Sequence, residues 1–232
     1  MKMPSVLMLS LVMINFAAEA ALPQSVARRF AEAHDSLESG VFRGSYTLTI
    51  KSFVAKEDGS KKTTSDVEIA VEVSADGVER RHLVRLITDG KNRTEENRKD
   101  IEDQSDEGKD GGDDEDFLLP FANDATRFIF GFTVNAGVHA ESTFEPAPGH
   151  EDDDGMTTGK MAWDQATLDP LWIEVDVLKP PKPLRELKVR MEFERVGERV
   201  YLTRMVTDGR VKVLLMKRNF HMEMTILDLD PQ

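Results

Sequence analysis

The side chains that most often carry chemistry are few in this chain and poorly spaced for it. There are five histidines: His34, His82, His139, His150 and His221. A zinc-protease helix needs two of them around a glutamate, as HExxH. The single His-Glu pair, His150-Glu151, runs instead into three aspartates. That loop, "HEDDDG", sets Asp152, Asp154 and Gly155 at positions three, five and six of a calcium loop. Its first and twelfth positions are His150 and Met161, where the ion needs oxygen ligands. There is no cysteine, so no disulfide, thiolate metal site or thiol nucleophile is available. No glycine-rich phosphate cradle follows a strand pattern, and no GxSxG elbow occurs.

Carboxylates abound, but mostly where nothing would desolvate them. Residues 95–116 hold twelve acids and three bases, and residues 151–154 add four more acids. Those two segments account for the whole net charge of −13, so the body is a neutral globule with two acidic loops. A basic stripe of the kind that tracks nucleic acid is missing. These observations point away from an enzyme and toward a binding protein that needs no metal and no cofactor.

The apolar residues are more informative. Beyond the first segment the chain has methionine only after residue 155: Met156, Met161, Met191, Met205, Met216, Met222 and Met224. Methionine is flexible and suits surfaces that must fit variable apolar shapes, although ordinary core filling explains it equally well. The row Phe128, Phe130 and Phe132 offers a broad apolar wall, or a plain core.

These residues must be positioned by strands. Residues 22–37, "LPQSVARRFAEAHDSL", form the one clear helix pattern, with Val26, Phe30, Ala33 and Leu37 on one face and Ser25 as a cap. From Phe42 onward apolar residues alternate. Leu48 and Ile50 share a face in the first run, Ile69 and Val71 in the next, and Ile173 and Val175 in "LWIEVDV" against Trp172 and Glu174. The pairs Asp58-Gly59, Asp76-Gly77, Asp89-Gly90 and Asp208-Gly209 read as turns of an antiparallel meander. The acidic segment 95–116 has one apolar residue, Ile101, and is expected to be disordered. Ten or eleven strands with one apolar face are expected, and one helix is a small cover for them. The apolar face must pack on a second sheet, close into a barrel or curl around something; a strongly curved sheet with the helix in its mouth would enclose an apolar cavity.

The chain opens with Lys2 and an apolar run, residues 5–18, followed by Ala18-Glu19-Ala20. This is the pattern of a cleaved secretory signal, and it is shorter than a membrane span. A signal over 1–20, a single β domain over 21–232 and a periplasmic location are expected. Two tryptophans and two tyrosines are too few for the aromatic girdles of an outer-membrane barrel.

The second half, residues 117–230, carries a pattern of Gly159, Trp163-Asp164, Thr167, Pro170, "LWIEV" with Trp172 and Glu174, a proline break, and a basic Lys217-Arg218 before the final run. It resembles the periplasmic lipoprotein-carrier superfamily of LolA and LolB. That resemblance implies a strongly curved antiparallel sheet, an incomplete β-barrel with a helical lid, whose apolar cavity holds acyl chains of lipids or lipoproteins. The wall would come from Leu48, Ile50, Ile69, Val71, Phe128, Phe130, Ile173, Val175, Met191 and Met222, with Phe30 facing them from a helical lid. An envelope protein would serve as donor or acceptor. The alternative is a non-catalytic interaction or sensor protein using the same sheet to hold another envelope protein.

Overall fold

The computed structural model of the chain describes residues 22, 24–37, 41–60, 62–103, 117–131, 133–213 and 216–232. The expected signal over 1–20, Phe132 and positions 104–116 of the acidic segment lie outside them. Helix α1 (Gln24–His34) ends in a 3-10 turn, Asp35–Leu37. Strands β1 (Gly44–Lys56), β2 (Thr63–Val73), β3 (Glu79–Thr88) and β4 (Lys91–Asn92) precede a second helix, α2 (Thr94–Asp103). After a 3-10 turn, Ala122–Arg127, come β5 (Phe128–Phe130), β6 (Val134–Ala136), β7 (His139–Pro146), β8 (Thr157–Asp164) and β9 (Pro170–Val177). The long strands β10 (Leu184–Val196), β11 (Arg199–Val213) and β12 (Met216–Pro231) finish the chain.

All of these strands join one antiparallel sheet in the order β4-β3-β2-β1-β12-β11-β10-β9-β8-β7-β5, with β6 also on β7. The chain is mainly β, as its alternation requires, and the sheet is unclosed, because β4 and β5 do not meet. The meander has one long-range step: the last strand returns beside the first, from Gly44 opposite Pro231 to Lys56 opposite Arg218.

Two expectations change. Asp208-Gly209 is not a turn but lies inside β11, opposite Phe220 of β12 and Leu187 of β10. A Cβ at Gly209 would lie 2.2 Å from the Phe220 ring, a clash, and 3.0 Å from the Glu186 carbonyl oxygen. The glycine is there to let a cross-strand aromatic lie flat on the backbone, so two expected strands fuse into one. The acidic segment also orders at its start. Thr94 is buried, its N–H bonds to the Asn92 side chain, and its hydroxyl accepts the Leu86 N–H. Arg98 pairs with Glu95 and Glu102 and donates to the Leu83 carbonyl. With Ile101 packed on the core, these contacts give α2 what its composition lacks, and disorder fails for residues 95–103.

The apolar face of the sheet is covered from two places. Helix α1 buries Val26, Phe30 and Ala33 against β7 to β11, with the segment 117–121 completing this larger core. A smaller core gathers Phe42, Val71, Val73, Leu83 and Tyr201, with Leu37, Leu86 and Ile101 around it. The tip of the β10–β11 pair reaches both: Val200 and Leu202 belong to the first cluster and Tyr201 to the second. Burial pushes the Tyr201 neighbour Tyr46 up to about 12, and the Glu79 carboxylate adds to that rise against the opposing charge of Arg81.

Candidate functional site

The register shows which side chains share the apolar face. Directly opposed pairs place Leu86, Val67, Ile50, Met224, Met205, Met191, Ile173 and Met161 in one row from β3 to β8. The neighbouring row runs Ser52, Met222, Thr207, Val189, Val175 and Gly159. Opposed side chains in antiparallel sheets lie within contact distance, so the first row is a continuous apolar ridge, while Ser52, Thr207 and Gly159 interrupt the second.

Burial along these rows is uneven, and that unevenness defines the site. On β8 to β10, beneath α1, Met161 and Ile173 have no exposure and Met191 has 2%. Across β11, β12, β1 and β2 the same rows are only half-buried at Met205, Met224, Met222, Ile50 and Val67. Exposure rises toward the hairpin ends of β1 and β12: Phe220 is half-buried and Val54 is 44% exposed. Toward the other end the face closes again at Ile226 and Val71. The result is an apolar strip about four strands wide, roughly 15–20 Å at the usual spacing of nearly 5 Å between strands. It lies between the cover of α1 and the cover of α2, and its open end is where β1, β12 and β11 turn.

The expected wall residues divide on this map. Phe30, Phe128, Phe130, Ile173, Val175 and Met191 sit together in the packed core under α1. Phe30 stacks on Phe121 and meets Phe193 edge-on, each with ring centres 5.7 Å apart. Leu48, Ile69 and Val71 belong to the smaller core. Ile50 and Met222 lie in the open strip, in neither cluster. Met205 and Met224, already marked by the methionine pattern, surround these two with Val67 and Phe220, although the expected wall left all four out; Met205 and Met224 also pack on the edge of the larger core and Val67 on the smaller. Their even spacing on β12 and odd spacing on β11 was the available signal, hidden by the assumed turn at Asp208-Gly209.

The motif residues prove to be architectural. Asp164 Oδ1 accepts the N–H groups of Ala166 at 2.9 Å and Thr167 at 2.8 Å, and the Thr167 hydroxyl at 3.1 Å. Those hydrogen bonds, Thr167's first, hold the Asp164 carboxyl below the usual aspartate range. Trp163 is core, while a Cβ at Gly159 would collide with the Glu174 carbonyl and the Phe144 ring. Trp172 and Glu174 lie on the wet face, where Arg190 sits 4.9 Å over the indole and pairs with Glu174. This face carries a ladder of ion pairs: Asp176–Lys188, Arg190–Glu192, Glu192–Arg204 and Arg204–Glu223. Burial would raise the Glu192 carboxyl, but hydrogen bonds from Arg190 and Arg204 outweigh it and hold the group below the usual glutamate range.

The acidic loop after β7 is likewise knit by protein contacts. His150 Nδ1 meets Asp153 at 2.8 Å, and Lys179 reaches Asp152 at 2.6 Å. Among the described residues no group of three His, Asp or Glu side chains is placed to hold a metal ion. No described helix is long and apolar enough to cross a membrane.

No family model matches the chain, and no curated protein does. Solved structures do. A DUF1329 family protein from Desulfovibrio piger is similar at 10% identity and a TM-score of 0.37, covering 89% of this chain and 92% of the other. A domain assigned to outer membrane lipoprotein sorting, from Vibrio parahaemolyticus, is similar at 12% identity and 0.34, covering 90% and 92%. MucB, in its Pseudomonas aeruginosa complex with MucA, is similar at 11% identity and 0.24, covering 88% and 93%. The function of this chain is read from its own residues.

Proposed function

We propose that this is an exported, non-catalytic protein of the periplasm that binds an acyl chain of a lipid or lipoprotein on the open apolar strip. The observation that carries the reading is the half-buried row Ile50, Met224 and Met205 with Met222 beside it. A sheet face that buries its apolar residues completely on one side and leaves them half-covered on the other has room for an apolar occupant. An extended chain of about twelve to sixteen methylenes matches the width of the strip, at about 0.8 kcal/mol per methylene buried. Methionine supplies a wall that adapts to it. Displacing α1, which carries Phe30 on its inner face, would add Phe128, Phe130, Ile173, Val175 and Met191 to that wall, and Leu48, Ile69 and Val71 line its far side. The apolar start of the chain supports export, and residues 21–232 would then act as one carrier domain.

Native mass spectrometry of protein purified from its own envelope fraction, with titration of a fluorescent fatty acid, tests this. A co-purifying lipid and saturable uptake support the proposal. A clean apo mass with no uptake overturns it. The fully buried seat of α1 favours a second reading, in which the helix stays put and the strip holds an apolar segment of another envelope protein. Uptake of a peptide but not of fatty acid would select it.

A further inference from the structure

The open end of the strip carries two cations on its apolar face. Along β12 that face runs Met224, Met222, Phe220 and Arg218, and along β1 it runs Ile50, Ser52, Val54 and Lys56. The register between the two strands is unbroken here, so Lys56 lies opposite Arg218 just as Ile50 lies opposite Met224. Both cations are partly buried, and neither has an ion pair or a side-chain hydrogen bond among the described residues. Their neighbours on the wet face are paired: Lys217 with Glu57 at 3.1 Å and Arg210 with Glu186 at 3.0 Å. The flanking strands add no acid to the apolar face, where β2 offers Thr63, Ser65 and Val67 and β11 offers Val211, Gly209, Thr207 and Met205. The carboxylates of this end lie elsewhere and make it close to neutral as a whole. Asp58, exposed in the turn after β1, is held below the usual aspartate range by hydrogen bonds from Ser60 and then by the charge of Lys56, which reaches it through space without an ion pair. Asp89 accepts the Thr64 N–H across β2 from β1, and the loop 151–154 is tied to Lys179 beyond β9. Strand β9 stands three strands from β12, about 14 Å at the usual spacing and outside a Debye length of about 8 Å.

We propose that Lys56 and Arg218 hold the anionic head of a single-chain amphiphile, a long-chain carboxylate or phosphate, whose tail lies along β12 on the strip. This rests on the acyl-binding reading above and narrows it to ligands with a free acid head. The strip has the polarity such a ligand needs. Its far end is closed and apolar, at Ile226 and Val71. Its path along β12, over Phe220, Met222 and Met224, meets no polar side chain of that strand on this face. Its open end sets two cations side by side. Six residues separate Arg218 from Met224, about 20 Å of strand, so a tail of the length proposed above fits lengthwise. The guanidinium fork of Arg218 can bind two oxygens of a carboxylate or phosphate together, and Lys56 adds a point charge beside it. An acyl chain in ester or amide linkage to a lipoprotein carries no such anion, so this pair favours the free acid over it.

The test is calorimetric titration of the mature chain with dodecanoate, dodecyl phosphate, dodecanol and dodecyltrimethylammonium, which share a tail and differ in the head. Both anions should bind about tenfold or more tighter than dodecanol, the worth of a charged hydrogen bond, and the ammonium should bind more weakly than dodecanol. K56Q/R218Q should bring the anions down to the affinity of dodecanol and leave dodecanol itself unchanged, at an unchanged thermal midpoint. K212Q/K217Q removes the same charge from the same strand ends on the wet face, and it should keep the preference for anions. The tighter of the two anions tells a carboxylate from a phosphate as the source of the head. Equal affinity for all four heads, or a preference for anions that survives K56Q/R218Q, overturns the head site and leaves acyl binding standing. Binding of none of the four overturns both.

Discussion

Replacing both Ile50 and Met222 by alanine separates a container from an ordinary core. Each substitution removes three heavy atoms. At about 0.8 kcal/mol per methylene-sized group, full burial of those atoms is worth about 2.4 kcal/mol per residue. Both side chains are about two-thirds buried or more in the empty protein, so each substitution should cost about 1.6 kcal/mol or more of stability, about 3 in all. The exposed remainder, at most about a third of each side chain, is what an acyl chain would cover. Losing it should weaken ligand binding by up to about 1.5 kcal/mol, about tenfold in Kd. Phe30→Ala is the contrast. That ring is fully buried against Phe121 and Phe193, and its loss should cost about 3–5 kcal/mol of stability. It should do little to the affinity of the molecules that remain folded. Urea unfolding gives the stabilities, and fluorescent fatty-acid titration below the unfolding transition gives the affinities. If Ile50→Ala/Met222→Ala destabilises as much as Phe30→Ala and leaves Kd unchanged, the strip is a loosely packed seam and holds no ligand.

Opposite faces of β9 should answer oppositely: Ile173→Asp puts an unpaired charge in the larger core and should prevent folding, whereas Glu174→Lys, on the wet face, should shift the thermal midpoint by a few degrees at most. Gly209→Val should displace the Phe220 ring and lower stability by about 2 kcal/mol or more, while Gly90→Ala, in the open turn after β3, costs mainly its backbone strain; circular dichroism melts compare the two. The ion-pair ladder predicts an acid limb. Because the Glu192 carboxyl is held below its ordinary range in the folded state, its contribution is present above that range and is lost as pH falls through the lowered folded value. Glu192→Gln should flatten that part of the stability-versus-pH curve, and an unchanged curve would remove the ladder from the account.

The sequence alone determined faces and elements. Alternation put Ile173 and Val175 on one side of their strand and Trp172 and Glu174 on the other, and helical spacing put Val26, Phe30 and Ala33 on one side of α1. Both follow from backbone periodicity, which is local and independent of what packs above. What the face touches is not local. Ile50 and Met191 read alike in the sequence, yet one is half-open and the other buried, because α1 lies over β10 and not over β1. Gly209 read as a turn because its partner ring, Phe220, approaches only across the β11–β12 pairing. The first turns of the acidic segment read as disorder because their stabilising groups, Leu83 and Leu86, sit on a neighbouring strand. Periodicity fixes which way a side chain points, but strand order and the placement of a single helix decide whether it meets protein, water or a ligand.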